Sequence, residues 1–290
     1  MLELDLNKVI NKIKRENYKK VLIQVPEGLK TKVVKIAEEI ERETKARVFI
    51  SAEPCYGSCD LPLEEASVLK VDAIVHIGHS DFGVKTKIPV FYVPVYFDLK
   101  IPERLKKEIS KIKEKKLSIY SSEPFRKVLD DLEKFLLKVG KEVIEKKIIL
   151  GCSEIEQKGE ANVFVGSGKF HPLALHGKTY FLNLEKNKLE DMTEEIEREE
   201  MKKQARISKF KEAKKIGILI STKPGQFYKD YEKIKEKLEK EGKEAEIVIM
   251  DEIKNEKLID LDFDAYLNTA CPRILDNHFD KLIVNLKDLF

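Results

Sequence analysis

The 290-residue sequence contains no tryptophan and only four cysteines and four methionines. Four cysteines are too few for a disulfide framework in so long a chain, so each is expected to be a buried apolar residue, a metal ligand or a catalytic group. No apolar run approaches the roughly 18–20 residues that span a bilayer. The N-terminal residues predict an amphipathic helix and not a signal peptide. We therefore expect a cytoplasmic protein that is not held in a membrane.

An excess of charge of one sign is also missing. The chain has 55 Lys and Arg against 52 Asp and Glu, a formal net charge of +3. Mixed signs provide no broad basic face, so binding to nucleic acid or to a membrane surface is not expected. The apolar fraction of 42% is enough to build cores and excludes a disordered or collagen-like chain. Abundant Lys and Glu without tryptophan are typical of hyperthermophile proteins.

An internal repeat with a period of about one third of the chain is the most informative feature of the sequence. Pro26, Pro124 and Pro224 each follow a β-rich stretch that begins with KK and precede a charged helix, at intervals of 98 and 100 positions. Short Val- and Ile-rich runs alternate with helices through each copy, which predicts βαβ units and parallel sheets covered on both faces. An amphipathic helix is predicted before each β-rich stretch, at about residues 3–16, 101–115 and 188–213.

The repeat predicts an α/β fold of three similar small doubly wound parallel-sheet (Rossmann-like) domains in a pseudo-threefold arrangement. The predicted domains are 1–99, 100–187 and 188–290. In such open sheets, ligands collect beyond the carboxyl ends of the strands. That edge is therefore the place to look for functional residues.

All four cysteines follow predicted strands. Cys55 and Cys59 come after ARVFIS, Cys152 after KKIILG and Cys271 after AYLNTA. Taken alone, each is as well explained as a small buried apolar residue. Three similar units could nevertheless bring three thiolates to one point, where soft sulfur ligands suit zinc or an iron–sulfur cluster. A four-iron cluster on three cysteines would keep one iron open for substrate.

Short cysteine motifs do not decide between these metals. Cys55 and Cys59 form C-x3-C, which begins like the radical S-adenosylmethionine signature C-x3-C-x2-C but lacks its third cysteine. The sequence also lacks the paired CxxC motifs of a zinc ribbon. The loop sequences around the cysteines are more specific.

Six loop motifs extend over nearly the whole chain: CYGSCD at Cys55–Asp60, GHS at Gly78–Ser80, GCSE at Gly151–Glu154, GSGKFHPLAL at Gly166–Leu175, STKPGQ at Ser221–Gln226 and NTACPRI at Asn268–Ile274. In sequence and order they resemble the motifs of the diphthamide synthesis family. The resemblance implies three related α/β domains that meet at a [4Fe–4S] cluster. It maps the cluster ligands to Cys59, Cys152 and Cys271 and leaves Cys55 as a spare thiol.

The resemblance, which is to the archaeal form of the family, also implies an activity: 2-(3-amino-3-carboxypropyl)histidine synthesis, the first step of diphthamide biosynthesis. The reduced cluster would pass one electron to S-adenosylmethionine, whose bond from sulfur to the γ-carbon then breaks. The 3-amino-3-carboxypropyl radical would add to one histidine of elongation factor 2 and leave methylthioadenosine. An external one-electron donor and a homodimer are implied as well.

Three of the loops are candidates for binding S-adenosylmethionine. Glycine-rich turns expose backbone N–H groups to a carboxylate, and a helix N-terminus attracts anions. The candidates are Gly166, Ser167, Gly168 and His171 in the first loop, Gly78, His79 and Ser80 in the second, and Lys223, Gly225 and Gln226 in the third. Each loop also has a structural explanation: a turn histidine satisfied by the backbone for His171, a half-buried polar plug for His79, and the turn that the repeat itself requires for Lys223, Gly225 and Gln226. His76, within a predicted strand, is expected to be structural.

Two other functions fit a three-cysteine site. One is another three-domain [4Fe–4S] enzyme, such as quinolinate synthase or the hydroxymethylbutenyl diphosphate reductase type, which needs no S-adenosylmethionine. The loop sequences fit those enzymes poorly. The other is a non-catalytic scaffold subunit that holds zinc or a structural cluster, and the three mapped cysteines argue against it.

Overall fold

The computed structural model describes residues 2–153 and 155–290. The chain forms two compact units: the first comprises Met1–Leu99, Glu123–Lys127 and Lys223–Gly225, and the second comprises Lys100–Ser122, Val128–Thr222 and Gln226–Phe290. Within the described ranges, no helix combines the length and the apolar character needed to cross a bilayer. The GCSE motif ends on Glu154, which lies outside the described residues.

The first unit contains one four-stranded parallel sheet. Its elements are β1 (Leu2–Glu3), α1 (Asn7–Glu16), β2 (Lys20–Gln24), α2 (Val33–Thr44), β3 (Arg47–Ile50), α3 (Leu63–Leu69), β4 (Ala73–Ile77), β5 (Val90–Val93) and β6 (Tyr96–Phe97). The strand order is β3-β2-β4-β5, and β1 pairs antiparallel with β6. β4 is buried along its whole length, as expected of an inner parallel strand.

Both faces of this sheet are covered because the side chains of β2 alternate between two cores. Val21 and Ile23 pack with α1 and α2 on one face. Leu22 packs with Ala66 of α3 on the other. Helices on both faces confirm the predicted doubly wound pattern for this copy.

The second unit contains the other two sheets. Its elements are α4 (Glu103–Ser110), β7 (Lys116–Ser121), α5 (Arg126–Lys138), β8 (Glu142–Ile148), β9 (Ala161–Gly166), β10 (Thr179–Asn183), β11 (Lys188–Asp191), α6 (Thr193–Glu212), β12 (Lys215–Ser221), α7 (Tyr231–Lys240), β13 (Glu244–Met250), β14 (Ala265–Asn268), β15 (Leu282–Asn285) and α8 (Leu286–Leu289). The strand orders are β11-β10-β9-β7-β8 and β13-β12-β14-β15.

The same strand order recurs in all three sheets. In each copy the first strand lies between the second and the third, and the fourth follows the third, with parallel pairing throughout. The corresponding four strands of each of the other two sheets pair in the same way, and β11 adds an antiparallel strand beside β10. The α/β class and the threefold repeat are therefore confirmed. The boundaries 1–99, 100–187 and 188–290 and the pseudo-threefold arrangement stay predictions.

Four local predictions were wrong, three of them helix boundaries and one a strand end. The first amphipathic helix begins at Asn7 and not at residue 3, and the second ends at Ser110 and not at residue 115. The third begins at Thr193, because Lys188–Asp191 pairs antiparallel with β10 instead of extending the helix. β8 ends at Ile148, so Cys152 is further from its strand than predicted.

Candidate metal centre

Cys59 lies half-buried in the loop between β3 and α3, and neighbouring elements of the first unit hold that loop by its backbone. The side-chain amide of Gln24, at the end of β2, donates a hydrogen bond to the carbonyl oxygen of Asp60 at 2.8 Å. The backbone N–H of Gly225 donates to the carbonyl oxygen of Cys59, also at 2.8 Å. A Cβ at position 225 would lie 2.5 Å from the Cα of Cys59, so this close approach requires glycine.

A buried ion pair reinforces the same loop. The Nζ of Lys223 lies 2.6 Å from Oδ1 of Asp60, and the two side chains are only 10% and 7% exposed. The same ammonium group lies 5.6 Å from the centre of the Tyr56 ring. Lys223 and Gly225 thus contact the residues around Cys59. Their predicted role in binding S-adenosylmethionine, and that of the half-buried Gln226, stays a prediction.

The GHS motif follows β4 in the first unit. Gly78 has φ +108° and packs against the ring of Pro26, where a Cβ would lie 2.8 Å from Cγ. His79 is half-buried, with its Nδ1 3.0 Å from Nε2 of His76, and Ser80 is exposed. The structure gives Gly78 a packing role, while the binding role of the motif stays a prediction.

Cys152 and Cys271 both belong to the second unit, and both are half-buried. Burial raises the pKa of the Cys271 thiol, and a negative charge on Cys152 raises it further, while the backbone N–H and the guanidinium group of Arg273 lower it. The two sulfurs are thus close enough to repel each other when ionised. Cys59 lies in the first unit, and its convergence with this pair stays a prediction.

Arg273, two residues after Cys271, stacks on an aromatic ring. The guanidinium carbon of Arg273 lies 3.8 Å from the centre of the Phe170 ring, and Arg273 forms an ion pair with Asp276. Phe170 covers Gly151, where a Cβ would lie 2.0 Å from the ring. Glycine is therefore required next to Cys152. Sequence reasoning missed Arg273 and Phe170 as functional residues, although both lie within the quoted motifs.

His171 is half-buried in the second unit and stacks on Phe164, with ring centres 5.7 Å apart. Burial, helped by the positive charge of Arg273, lowers the pKa of His171 to about 4, so its ring is neutral near pH 7. Gly166 ends β9, and the exposed residues Ser167 and Gly168 follow it, the latter with φ +66°. The turn is open to a ligand, and its binding role stays a prediction.

A cavity of about 830 Å³ in the second unit adjoins both of its cysteines. Gly151 and Ser153, on either side of Cys152, line it, as do Pro272 and Arg273, which follow Cys271. Elsewhere its wall is rich in charged side chains of both signs. A polar molecule in this cavity would therefore contact residues that flank the two cysteines.

Comparison with known proteins gives a consistent result. The family model for diphthamide synthesis proteins matches residues 25–290. The 2-(3-amino-3-carboxypropyl)histidine synthase of Pyrococcus horikoshii is 33% identical over 293 residues, which cover 95% of this chain and 85% of that protein. The corresponding synthase of Methanocaldococcus jannaschii is 31% identical over 302 residues, with coverage of 95% and 84%.

A solved structure also matches. The crystal structure of Dph2 from Pyrococcus horikoshii with a 4Fe-4S cluster aligns with a TM-score of 0.90 and 31% sequence identity. The match covers 100% of this chain and 90% of that chain. Fold and sequence thus point to the same set of relatives.

Proposed function

Since this chain belongs to the diphthamide synthesis family, we propose that it is a 2-(3-amino-3-carboxypropyl)histidine synthase that modifies a protein substrate. The substrate is a histidine of elongation factor 2, the group donor is S-adenosylmethionine, and methylthioadenosine is released. The observation that carries the proposal is the pair of half-buried thiols, Cys152 and Cys271, in a chain that matches synthases over 95% of its length. The comparisons do not favour the quinolinate synthase-like enzyme or the scaffold subunit.

The proposed cofactor is a [4Fe–4S] cluster on Cys59, Cys152 and Cys271, the group that the relative's structure contains. These residues fit a metal cluster. Two half-buried thiols repel each other when both are thiolates, and a cation bound to both sulfurs removes that repulsion. Thiolate is also the ligand that iron–sulfur clusters require. When bound, the cluster supplies the electron that cleaves S-adenosylmethionine.

Arg273 supplies the charge that this arrangement needs from the protein. Its guanidinium group lowers the pKa of Cys271 and so favours the thiolate form that binds metal. Stacking on Phe170 and pairing with Asp276 hold the group in place. We propose that the cavity beside it admits the substrates and that the acceptor histidine reaches it on a projecting loop.

The residues proposed to bind S-adenosylmethionine surround glycine-rich turns. The turn Gly166–Gly168 offers backbone N–H groups for the carboxylate of the methionine portion. A neutral His171 can either donate or accept a hydrogen bond. Gly78, His79 and Ser80, together with Lys223, Gly225 and Gln226, remain further candidates for the same ligand.

We also propose where the protein works and what supplies its electrons. The protein works in the cytoplasm, where its protein substrate is found, and it takes single electrons from an external donor. A homodimer is proposed from the resemblance to the family.

An anaerobic assay tests the function. Protein reconstituted with iron and sulfide is mixed with S-adenosylmethionine, a reductant and elongation factor 2 from the same organism. Mass spectrometry should show a gain in mass on one histidine, with an equal amount of methylthioadenosine formed. An intact cluster that leaves S-adenosylmethionine unchanged under reductant, with elongation factor 2 present, would refute the proposal and favour the quinolinate synthase-like reading.

A further inference from the structure

Among the described residues, the first unit holds a group of metal-binding side chains that is not assigned to the cluster. Cys55, His76 and His79 each offer one ligand atom, and these atoms lie within 4.8 Å of one another. Cys55 is 5% exposed and His76 is fully buried, while His79 is half-buried. Cys55 comes from the loop after β3, and the two histidines come from the end of β4 and the turn that follows it.

A chain of hydrogen bonds fixes the orientation of the His76 ring. The side-chain nitrogen of Gln24 donates to the carbonyl oxygen of Asp60, so the amide oxygen of Gln24 is left as an acceptor. That oxygen lies 2.8 Å from Nδ1 of His76, which must therefore carry the proton. The lone pair of His76 then sits on Nε2, which points toward His79. Metal-binding histidines are usually held in this way by an acceptor on their other nitrogen.

The separation of the two histidine nitrogens suits a small tetrahedral ion, and the Cys55 sulfur lies within 4.8 Å of both. Zinc binds imidazole nitrogen at about 2.0–2.1 Å and thiolate sulfur at about 2.3 Å, which places two ligand nitrogens roughly 3.3 Å apart. Nε2 of His76 and Nδ1 of His79 are 3.0 Å apart. Burial lowers the pKa of His76 to about 3 and also lowers the pKa of His79, so both rings are neutral and able to ligate. Burial raises the pKa of the Cys55 thiol to about 12, so zinc has to displace its proton.

We propose that Cys55, His76 and His79 form a second metal site that binds zinc, separate from the three cysteines assigned to the cluster. The fourth zinc position is filled by water. The ion links the loop that carries Cys59 to the end of β4 and so stabilises the segment that presents a cluster ligand. His79 would bind zinc through Nδ1, which leaves its Nε2 as the ring nitrogen available to S-adenosylmethionine. The site does not depend on the proposed function, because its ligands are not the cluster ligands.

The test uses the full chain with the substitutions Cys59→Ala, Cys152→Ala and Cys271→Ala, which leave Cys55 as the only thiol. After chelation, this protein should take up about one zinc ion per chain, and its melting temperature should rise with zinc. Cobalt in place of zinc should give a thiolate-to-metal absorption band, which can come only from Cys55. Bound zinc should also slow the alkylation of Cys55 by a thiol reagent.

Further variants in the same background locate the site. His79→Ala and Cys55→Ala should each weaken zinc binding at least about 100-fold, and Gln24→Leu, which removes the acceptor for Nδ1, should weaken it about 10–100-fold. His278→Ala is the matched control, because His278 is a histidine with a side chain 84% exposed, and it should bind zinc as well as the parent. Absence of a thiolate–cobalt band in the parent, or equal zinc affinity in His79→Ala and the control, would overturn the proposal.

Discussion

Replacement of Lys223 by methionine tests whether the buried ion pair holds the Cys59 loop. Methionine keeps much of the apolar stem but removes the charge that lies 2.6 Å from Asp60. Because both side chains are 10% exposed or less, the Asp60 carboxylate would remain buried without its cation. Removal of one partner of a buried pair reduces the free energy of unfolding by about 3–5 kcal/mol, and we expect a loss in that range.

Urea denaturation of cluster-free protein measures this loss, and iron content after reconstitution reports the effect on the cluster. Lys233→Met is the matched control, since Lys233 pairs with Asp230 at the same 2.6 Å but with side chains 78% and 53% exposed. An exposed pair contributes at most about 1 kcal/mol, so the control should be nearly neutral. If the two variants lose the same stability, the ion pair does not hold the loop as argued.

Three further perturbations have defined outcomes. Gly225→Ala forces a Cβ to within 2.5 Å of the Cα of Cys59, and it should lower the free energy of unfolding by about 1–3 kcal/mol and reduce iron content on reconstitution. Gly151→Ala should displace the Phe170 ring and lower methylthioadenosine formation, because the new Cβ overlaps that ring; unchanged activity would contradict this. The pKa of His171 is lowered from 6.5 to about 4 in the folded protein, so its contribution to stability is complete above about pH 6.5 and is lost as pH falls toward 4. His171→Phe should therefore flatten the fall in melting temperature over this interval, and an unchanged pH profile would refute the assigned cause.

Sequence periodicity predicted the three sheets because parallel inner strands are short, apolar and buried on both faces. β4 and β12 are examples, since each is almost wholly buried. The same reasoning missed β11, whose sequence KLED has no apolar alternation and is a strand only because it pairs with β10. Whether a segment pairs at the edge of a sheet depends on the neighbouring strand. The local pattern of apolar residues in the segment does not contain that information.

For the site, sequence could locate the cysteines but not the side chains that support them. Residue type and position after a strand singled out Cys152 and Cys271. The pairing of Lys223 with Asp60 joins residues 163 positions apart, and the stacking of Arg273 on Phe170 joins two different loops. Neither contact leaves a local signature, so both required the fold.

The proposed [4Fe–4S] cluster on Cys59, Cys152 and Cys271 is tested most directly by iron and sulfide analysis of the anaerobically reconstituted protein. The wild-type chain should contain about four iron and four sulfide per chain. Cys59→Ala, Cys152→Ala and Cys271→Ala should each lose most of both, while Cys55→Ala should keep them. Full iron and sulfide in any one of the first three variants, or their loss in Cys55→Ala alone, would contradict the proposal.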